Sequence, residues 1–522
     1  MNAESAAADA DEGGVSIDAL RAHLETTLGR RVALIETHIS WVLLDGEHAW
    51  KIKKPVTLGF LDFARLDARR ACCEEELRLN RRMAPELYLE VVPIRGEAQS
   101  PRLDGEGPAI EYAVRMRQFA PGALFSERLE AGTLDAQAVE RFAVRLAAFQ
   151  LEAPSAGASE PWGSAERVRA DTALALDGIA AAARSSSAWV GVMRERFEAK
   201  ASRLARVFEM RKRQGWVREG HGDLHLANVV VLGSQVTAFD CIEFDPGLRW
   251  IDVQNDAAFL AMDLLAHDRA DLAFRFLDAW LGALGDYEGL AVLRYYLAYR
   301  AVVRELVASI RRGQREPSSA VPRYAGLASQ LLESRQPRLL ITHGVSGSGK
   351  SHAAGRLLER SGAIRIRSDL ERKRLHGLGA LARSHAAIGE SLYAADASAS
   401  TYARLLELAE VSLRAGWPTI VDATFLRMAD RDRFRELAER LDVPFSILAC
   451  EADEAVLRER VDARLARGAD PSEADVKVLE RQLSCREPLR SVERASAIFV
   501  DTSRGALDVA AIARAWRGAD RG

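Results

Sequence analysis

The chain has 522 residues, a formal net charge of −3 at pH 7 and 48% hydrophobic residues. Because a single hydrophobic core rarely grows beyond about 250–300 residues, this length predicts two or three domains. The near-neutral charge gives no reason to expect nucleic acid or an anionic membrane surface as a partner. Scattered cysteines without metal-ligand spacing, no signal-peptide pattern and no long apolar run predict a cytoplasmic protein with reduced thiols.

The amino-terminal part of the chain predicts a small antiparallel β-sheet with one inserted helix. Residues 1–15 are acidic and rich in alanine, and we expect them to be disordered. Short β-type runs follow, and Asp45-Gly46 is a hairpin signal between two of them. Helices are expected at 15–28 and 67–83, and strands at 32–35, 40–44, 49–53, 87–94 and 110–116.

Helical periodicity dominates after the breaker Phe119-Ala-Pro-Gly122. Two short β runs flank the turn residues Gly233-Ser234, and a loop is expected at 313–322. Helices are expected at 134–150, 164–211, 250–281, 286–312 and 323–334, and strands at 229–232 and 236–239.

Gln336-Pro337 marks the predicted boundary between two domains. Before it, residues 16–335 form a first domain, with a β-rich lobe at 16–118 and a helical lobe at 119–335. After it, β runs alternate with helical segments, which predicts a doubly wound parallel sheet in a second domain, residues 337–522. Its strands are expected at 339–342, 364–366, 418–421, 446–450 and 497–500.

The first domain carries a set of residues suited to phosphoryl transfer. The segment His221-Gly-Asp-Leu-His-Leu-Ala-Asn228 contains Asp223, and Asp240 follows at the end of a β run. Kinase-type chemistry needs an Asp that accepts a hydroxyl proton, and an Asn and an Asp that hold Mg²⁺. The spacing of Asp223, Asn228 and Asp240 meets that need.

A kinase-type site also needs a lysine on an upstream strand to position the α- and β-phosphates. Lys51 and Lys53 lie on the same face of the run 49–53, so both are candidates. An acidic residue on the following helix should orient the lysine. The candidates there are Glu74, Glu75 and Glu76.

These residues resemble the aminoglycoside phosphotransferase-like family of small-molecule kinases, and the β-rich lobe followed by a helical lobe is similar to that family's α+β, protein-kinase-like fold. The resemblance prefers Lys51 over Lys53 and implies an adenine-binding hinge near 116–121. The site residues that it implies are the base Asp223, the Mg²⁺ ligands Asn228 and Asp240, the phosphate-orienting Lys51 and its partner Glu76.

Two features depart from that family's pattern. No glycine-rich loop joins the first two strands, where Thr37-His-Ile-Ser40 stands instead. Glu243 and Asp245 are able to assist the metal, to bind substrate or simply to form a turn. Asp252 and Asp256 lie at i, i+4 on the next helix, where one acid either braces the catalytic loop or belongs to a helix-surface pair.

The second domain opens with a phosphate-binding P-loop between an apolar run and a helical segment. Its glycines let backbone N–H groups close around phosphate oxygens, Lys350 reaches the β- and γ-phosphates, and the Ser351 hydroxyl ligates Mg²⁺. The sequence therefore predicts ATP binding. The residues of the loop are Gly344, Val345, Ser346, Gly347, Ser348, Gly349, Lys350 and Ser351.

Further polar residues follow the predicted parallel strands at their carboxyl ends, where open α/β sheets bind ligands. Asp369 is able to accept a hydroxyl proton and Arg372 to hold an anionic group, the alternative being a helix cap and an exposed arginine. Asp422 stands in the place of a Walker-B acid, acting through Mg²⁺-bound water. Arginines precede the lid-like residues 468–474, of which Arg464 and Arg467 are expected at the phosphates. The full cluster is Arg458, Arg460, Arg464 and Arg467.

This second set resembles the P-loop kinase group of zeta-toxin-like, gluconate-kinase-like and polynucleotide-kinase-like enzymes. From about residue 15 to 516, the chain is similar to bacterial two-domain proteins described as bifunctional aminoglycoside phosphotransferase-like/ATP-binding proteins. The resemblance implies two Mg²⁺- and ATP-dependent kinase domains, each phosphorylating a small-molecule hydroxyl. The alternatives are a regulatory ATP-binding protein with one active domain, or a nucleotide-sugar kinase with a controlling amino-terminal module. The acceptors and the oligomeric state stay open.

Overall fold

The protein forms two compact units in its computed structural model. The first unit comprises 14–138, 152–162 and 215–256, and the second comprises 139–151, 163–214 and 257–518. The described residues do not include residue 336 of the predicted boundary or residues 1–13 of the predicted disordered start. Both predictions therefore stay untested. The structure describes residues 14–58, 61–103, 105–182, 187–314, 324–333, 337–379, 395–467, 475–503 and 506–518.

The described strands belong to five sheets, of which the two largest have six and five strands. The strands are β1 (Ala33–Glu36), β2 (Ser40–Leu44), β3 (His48–Lys53), β4 (Thr57–Leu58), β5 (Leu61–Asp62), β6 (Tyr88–Glu97), β7 (Ser100–Arg102), β8 (Ala109–Arg117), β9 (Val217–Glu219), β10 (Val229–Leu232), β11 (Gln235–Ala238), β12 (Trp250–Asp252), β13 (Leu339–His343), β14 (Ile364–Arg367), β15 (Thr419–Asp422), β16 (Phe445–Glu451) and β17 (Ala497–Asp501).

Helices make up most of the remaining described structure, and none of them is long and apolar enough to cross a membrane. They are α1 (Ile17–Leu28), α2 (Leu66–Arg81), α3 (Phe125–Glu130), α4 (Ala136–Glu152), α5 (Ala165–Ala182), α6 (Ser187–Arg213), α7 (Pro246–Arg249), α8 (Val253–Ala266), α9 (Ala270–Leu284), α10 (Leu290–Gln314), α11 (Tyr324–Leu332), α12 (Lys350–Ser361), α13 (Ser368–Leu375), α14 (Ala395–Arg414), α15 (Met428–Arg440), α16 (Glu454–Arg467), α17 (Val476–Cys485), α18 (Ser491–Ala495) and α19 (Val509–Gly518).

The first unit is built on a six-stranded antiparallel sheet in the order β1-β2-β3-β8-β6-β7. The predicted hairpin at Asp45-Gly46 joins β2 to β3, and Gly46 has a φ of +96° that favours glycine. The Asp45 carboxylate accepts hydrogen bonds from the backbone N–H groups of Glu47 and His48 at 2.8 and 2.9 Å, and from Trp50 Nε1 at 2.9 Å. These bonds fix the register of the two strands, and with it the position of β3.

Helix α1 covers one face of this sheet. Ser16 caps its first turn by accepting a hydrogen bond from the Ala19 N–H at 3.3 Å, and Gly29 ends it in the left-handed conformation. Leu20 and Leu24 of the helix are buried in one cluster with residues of β2 and β3. Each such side chain contributes about 1.5–3 kcal/mol on burial, so the α1 contact stabilises the sheet substantially.

Several sequence predictions differ from the structure in detail. The predicted helix at 164–211 corresponds to α5 and α6, and residues 183–186 between them lie outside the described residues. The predicted helix at 250–281 begins as strand β12, paired with β9, and breaks before α9 at Asp268, whose φ is +58°. Helix α10 extends through the start of the predicted loop 313–322, whose remaining residues lie outside the described ones.

The second unit contains the predicted parallel sheet, in the order β14-β15-β13-β16-β17. Every residue of its central strand β13 is buried, as expected for a parallel strand that helices cover on both faces. The predicted strands therefore match the structure, and the doubly wound arrangement is confirmed.

Helix α9 supports the edge of this parallel sheet within the same unit. Asp278 of α9 accepts hydrogen bonds from Arg365 of β14, at 3.1 Å from Nε and 2.6 Å from Nη2. Arg275 of α9 pairs with Glu359 of α12 at 2.6 Å. A Cβ at Gly282 would lie 2.9 Å from Leu370, so the helix approaches α13 closely. Residues of the predicted helical lobe thus pack directly on the parallel sheet.

We expect Asp278→Ala to lower the free energy of unfolding by about 2 kcal/mol, because it leaves the largely buried Arg365 guanidinium without its bidentate partner. Urea denaturation measures this change. The matched control is Glu454→Ala, which breaks an exposed pair with Arg458 and should cost less than about 0.5 kcal/mol. Equal losses in the two variants would contradict the predicted support of the sheet by α9.

Candidate active sites

The loop between β9 and β10 in the first unit carries the predicted catalytic residues, and Asp256 of α8 fixes its shape. The two carboxylate oxygens of Asp256 accept hydrogen bonds from the backbone N–H groups of His221 and Gly222, each at 3.0 Å. Gly222 has a φ of +85°, and a Cβ there would lie 2.7 Å from the Leu248 carbonyl oxygen. Of the two acids proposed to brace this loop, Asp256 makes the contact, whereas Asp252 accepts from the N–H of Gln254 at 2.9 Å.

Asp223 and Asn228 lie together at the end of this loop. The Asn228 side-chain N–H donates to the Asp223 carbonyl oxygen at 2.9 Å and to its Oδ2 at 3.2 Å. His225 Nε2 lies 3.4 Å from Asp223 Oδ2. The Asp223 side chain is 37% exposed, so its carboxylate is accessible from solvent while these contacts orient it.

Lys51 of β3 brings together two distant carboxylates. Its Nζ lies 2.8 Å from Glu76 Oε1 and 2.5 Å from Asp240 Oδ1. Burial by itself lowers the pKa of Lys51, but the carboxylates of Asp240 and Glu76 outweigh it and raise the pKa well above its ordinary value. Asp240 has a φ of +64°, and its backbone N–H donates to the Tyr88 hydroxyl at 3.1 Å. The predicted lysine, glutamate and metal-ligand aspartate therefore lie in one contact group.

Lys53 contacts the same glutamate from deeper in the unit. Its Nζ lies 2.5 Å from Glu76 Oε2 and forms a second ion pair with Glu243. The Lys53 side chain is fully buried, whereas that of Lys51 is 12% exposed. Both lysines thus hold Glu76, but only Lys51 also reaches Asp240. Sequence periodicity could not decide which lysine is the phosphate-orienting candidate, because both lie on one face of β3.

The remaining acidic candidates of this unit have structural partners. Glu74 pairs with Arg70 at 2.8 Å, and Glu75 pairs with Arg249 at 2.8 Å. Asp245 caps α7 by accepting from the Gly247 N–H at 2.7 Å. These three carboxylates therefore shape the neighbourhood of the site.

Two segments are expected to flank the nucleotide. One is the turn between β1 and β2, and the other follows β8. Thr37 donates to the Ser40 carbonyl oxygen through its N–H at 2.9 Å and its hydroxyl at 3.0 Å, which closes a tight turn between β1 and β2. The hinge predicted at 116–121 follows β8, where the Gln118 N–H donates to the Glu47 carbonyl oxygen at 2.8 Å. The adenine contact at this hinge stays a prediction.

The P-loop of the second unit follows β13 and leads into α12. A Cβ at Gly344 would lie 2.5 Å from the Cys450 carbonyl oxygen, and one at Gly347 would lie 2.7 Å from that of Leu457. Both glycines have positive φ values, of +143° and +83°. Only glycine fits these positions, and the loop backbone is consequently held in the tight curve that exposes N–H groups to phosphate.

Lys350 occupies the first position of α12 and folds back on the loop. Its Nζ donates to the Val345 carbonyl oxygen at 2.7 Å and lies 3.5 Å from the Ser348 hydroxyl. Burial lowers the pKa of Lys350 to about 8, and the Asp422 carboxylate only partly offsets it. The ammonium group is therefore poised to gain a phosphate as an anionic partner.

Asp422 ends β15 beside the P-loop. Its Oδ2 is buried without a hydrogen-bond partner among the described residues, and the nearest cation is Arg365 Nη1 at 3.7 Å. Burial raises the pKa of this carboxyl, although Arg365 and Arg367 oppose the shift. A buried carboxylate oxygen with no donor suits a divalent cation, which would also reach Ser351 in the first turn of α12. The residues present therefore fit Mg²⁺.

Asp369 lies in the first turn of α13 and Arg372 in its last turn. Arg367, which the sequence analysis did not single out, holds Asp369 with hydrogen bonds of 3.2 and 2.8 Å. Burial raises the pKa of Asp369, but the Arg367 guanidinium outweighs it and lowers the pKa. The alternation of arginines in β14 was the sequence signal for this pair.

The four arginines predicted to approach the phosphates differ in their surroundings. Arg458 forms exposed pairs with Glu454 and Glu480. Arg460 donates to the Thr502 carbonyl oxygen at 2.6 Å and to that of Gly347 at 3.3 Å, so it braces the P-loop. Arg464 lines the cavity beside the loop. The Arg467 side chain and the lid-like residues 468–474 lie outside the described residues.

A cavity of about 740 Å³ opens beside the P-loop. Lys350, Ser351, Asp369, Arg372 and Asp422 all line it, so the structure brings the predicted residues of the second site to one place. The sequence analysis missed other residues of its wall, because they lie on α14, α15 and α17, far from the recognised motifs. They include Tyr402, Arg427, Asp430, Arg433, Arg481 and Gln482.

Fold and site together define a protein with kinase-type domains: a protein-kinase-like part with a β-rich sheet and helices, and a nucleotide-binding P-loop part with a parallel sheet. The family model described as "AAA domain" matches residues 339–489. The chain belongs to the same family as the uncharacterized protein Rv2004c of Mycobacterium tuberculosis. The two are 30% identical over 442 residues, which cover 83% of this chain and 86% of the relative.

Solved structures of kinases share parts of the fold. A choline/ethanolamine kinase family protein from Mesorhizobium loti covers 60% of this chain and 92% of its own, with 13% identity and a TM-score of 0.34. A gluconokinase from Sinorhizobium meliloti covers 36% of this chain and 94% of its own, with 24% identity and a TM-score of 0.26. At TM-scores this low, neither likeness carries an argument about this chain.

Substitutions of the two lysines of β3 should differ in their effects on stability and on function. We expect Lys53→Met to lower the free energy of unfolding by about 3 kcal/mol, because it leaves Glu243 and Glu76 buried with one cation fewer. Lys51→Met should cost about 1 kcal/mol, since Asp240 is 41% exposed and Glu76 keeps Lys53, but it should abolish transfer by this site. Urea denaturation and phosphoryl-transfer assays measure the two effects, and the reverse order of stabilities would contradict this assignment.

Lys350 should take up a proton when ATP binds. With a pKa of about 8 in the free protein, most Lys350 side chains are neutral at pH 8.5, and the phosphates favour the charged form. Isothermal titration calorimetry in buffers of different ionisation enthalpy should therefore show proton uptake at pH 8.5 and little at pH 7.2. Lys51→Met is the control that leaves the uptake unchanged, because Lys51 is charged throughout this range. Uptake that is the same at both pH values would refute the prediction.

Proposed function

We propose that the protein is an ATP- and Mg²⁺-dependent phosphotransferase in which each kinase-type part transfers the γ-phosphoryl group to a hydroxyl of a small molecule. The observation that carries the proposal is the contact group in the first unit. Lys51 and Asp240 are 189 positions apart in the chain, yet Lys51 Nζ binds Asp240 and Glu76 together. Such a convergence of kinase-type residues is expected of a site for phosphoryl transfer.

In the first site, Lys51 would orient the α- and β-phosphates while Glu76 holds its ammonium group. Asp223 would accept the proton of the acceptor hydroxyl. The hydroxyl oxygen would attack the γ-phosphorus, and the bond from that phosphorus to ADP would break. Asn228 and Asp240 would hold Mg²⁺, which supplies neutralisation of the phosphate charge. Asp256 would keep the loop in place for this step through its two backbone hydrogen bonds.

In the second site, the backbone N–H groups of 344–351 and Lys350 would bind the phosphates. Ser351 and Asp422 would hold Mg²⁺. Asp369 would accept the acceptor's proton, and its bidentate contact with Arg367 would keep it ionised and aimed. Positive side chains would stabilise the charge that develops on the transferred group. They are Arg372, Arg464 and Arg467.

A second candidate function is regulatory ATP binding by the first unit, with transfer only in the second. The tight turn at Thr37–Ser40, which replaces a glycine-rich loop over the phosphates, favours this alternative. A related form is a nucleotide-sugar kinase controlled by the amino-terminal part. In every form the partners are small molecules, and we infer no nucleic-acid or membrane partner and a cytoplasmic location.

Two substitutions distinguish these functions in the full-length protein. We expect Asp223→Asn to lower kcat for one acceptor by about 10²–10⁴-fold with nucleotide binding retained, because it removes a general base and preserves the shape of the side chain. Lys350→Gln should abolish transfer to a second acceptor. A metabolite-library screen with ADP release as readout measures both.

The two variants also define the outcomes against the proposal. Transfer that survives in full in Asp223→Asn, and disappears entirely in Lys350→Gln, would support the regulatory alternative for the first unit. Transfer that neither substitution affects would remove both proposed sites. Asp67→Asn, which weakens an exposed ion pair with Arg65 in the same unit, is the matched control for Asp223→Asn.

A further inference from the structure

One peptide group of the P-loop is held by side chains at both of its polar atoms. The Val345 carbonyl oxygen accepts a hydrogen bond from Lys350 Nζ at 2.7 Å. The Ser346 N–H, in the same peptide group, donates to Gln482 Oε1, also at 2.7 Å. Lys350 is the residue that a P-loop directs at the β- and γ-phosphates. The Ser346 N–H therefore lies at the end of the loop where those phosphates are expected.

The contact fixes which end of the Gln482 carboxamide faces the loop. A backbone N–H needs an acceptor, so the side-chain oxygen, and not the amide nitrogen, points at Ser346. Gln482 belongs to α17, is half-buried and lines the cavity beside the P-loop. P-loops use their backbone N–H groups to bind phosphate oxygens. A neutral oxygen of the protein thus occupies one of the donors that this loop has for phosphate.

Other contacts hold α17 in place beside the loop. Leu479, one turn before Gln482, is fully buried in an apolar cluster that includes Val345 and Leu426. After the helix, the Glu487 N–H donates to the Leu426 carbonyl oxygen at 3.0 Å. The Gln482 carboxamide is therefore able to turn away from the loop by side-chain rotation while the helix keeps its position.

A phosphate oxygen and the Gln482 oxygen need the same hydrogen. One backbone N–H makes one well-aligned hydrogen bond, so both acceptors cannot bind it fully at once. A charged acceptor forms a hydrogen bond about twice as strong as a neutral one. Phosphate is consequently able to displace the carboxamide, but the broken hydrogen bond reduces the net gain from binding.

We propose that Gln482 competes with the nucleotide phosphates for the Ser346 N–H and thereby sets the ATP affinity of the P-loop site. This inference rests on the nucleotide binding that the proposed function assigns to that site. Binding of ATP replaces one neutral hydrogen bond with a charge-assisted one, and the carboxamide turns away from the loop. Gln482 is thus a positioning residue whose removal strengthens the binding of nucleotide.

The test measures the Kd for Mg²⁺-ATP by isothermal titration calorimetry in the full-length protein carrying Lys51→Met, which weakens binding at the first site. Gln482→Leu keeps the approximate size of the side chain and removes the acceptor, whereas Gln482→Asn keeps the carboxamide and shortens its reach. Each should lower the Kd about three- to tenfold, because no neutral hydrogen bond has to be broken. Gln482→Glu keeps the acceptor and adds a negative charge, so it should raise the Kd about tenfold or more.

Cys485→Ala is the matched control, because Cys485 lines the same cavity from α17 and its Sγ donates to the Gln482 carbonyl oxygen within that helix. It should leave the Kd unchanged. Lys350→Gln in the same background should abolish the binding signal, which identifies that signal with the second site. A merely structural role for Gln482 would make all three of its substitutions weaken binding.

Unchanged or weaker ATP binding by Gln482→Leu and Gln482→Asn overturns the inference. The expected Kd values, found without Lys350-dependent transfer to any acceptor, would leave the role of Gln482 standing and count against the proposed phosphoryl transfer instead.

Discussion

The carboxylate of Glu76 is the contact on which the first unit's site depends. It is fully buried and shared between two lysines, with Lys51 on one oxygen and Lys53 on the other. A buried ion is costly unless its charges are matched, and here matching needs Asp240 and Glu243 as well. The result is an alternating row of charges that ties β3 and α2 to the segment after β11. The residues proposed to bind phosphate and metal are therefore fixed by the same contacts that hold the unit together.

Arginines of β14 have a comparable role in the second unit. Arg365 and Arg367 lie two positions apart on one face of the strand, and each holds a carboxylate, Asp278 and Asp369. Arg365 also donates to the Ser351 carbonyl oxygen at 3.0 Å. Asp278 belongs to α9, so the parallel sheet and its P-loop depend on a helix that precedes them in the chain. Helix α9 and the parallel sheet therefore belong to one compact unit, although the predicted boundary lies between them in the chain.

Short-range patterns made much of this predictable. The P-loop is contiguous, and Asp223, Asn228 and Asp240 are spaced by a loop and a hairpin, so both sets could be predicted from sequence alone. The parallel sheet followed from the alternation of β and helical segments.

What the sequence left open depends on contacts between distant residues. Lys51 and Lys53 have the same periodicity and differ in depth and in their second partner, Asp240 for Lys51 and Glu243 for Lys53. Asp252 and Asp256 lie four positions apart, but Asp252 ends β12 and only Asp256 lies on α8, where it reaches the loop. The partner of Arg365 is 87 positions away, beyond any local signal.

The two lysines that we propose to bind phosphate, Lys51 and Lys350, have opposite shifts of their pKa values. Lys51 already has carboxylate partners, which raise its pKa, so an incoming phosphate must compete with Asp240 for the ammonium group. Lys350 contacts carbonyl and hydroxyl oxygens, and burial lowers its pKa. A bound phosphate would favour the charged ammonium form that burial disfavours. Under the proposed function, nucleotide binding in the first unit would exchange one ion pair for another, and Asp240 would then be able to hold Mg²⁺. Binding in the second unit creates an ion pair outright. If both proposed sites bind ATP, the first must break an ion pair and the second need not, so we expect unequal ATP affinities.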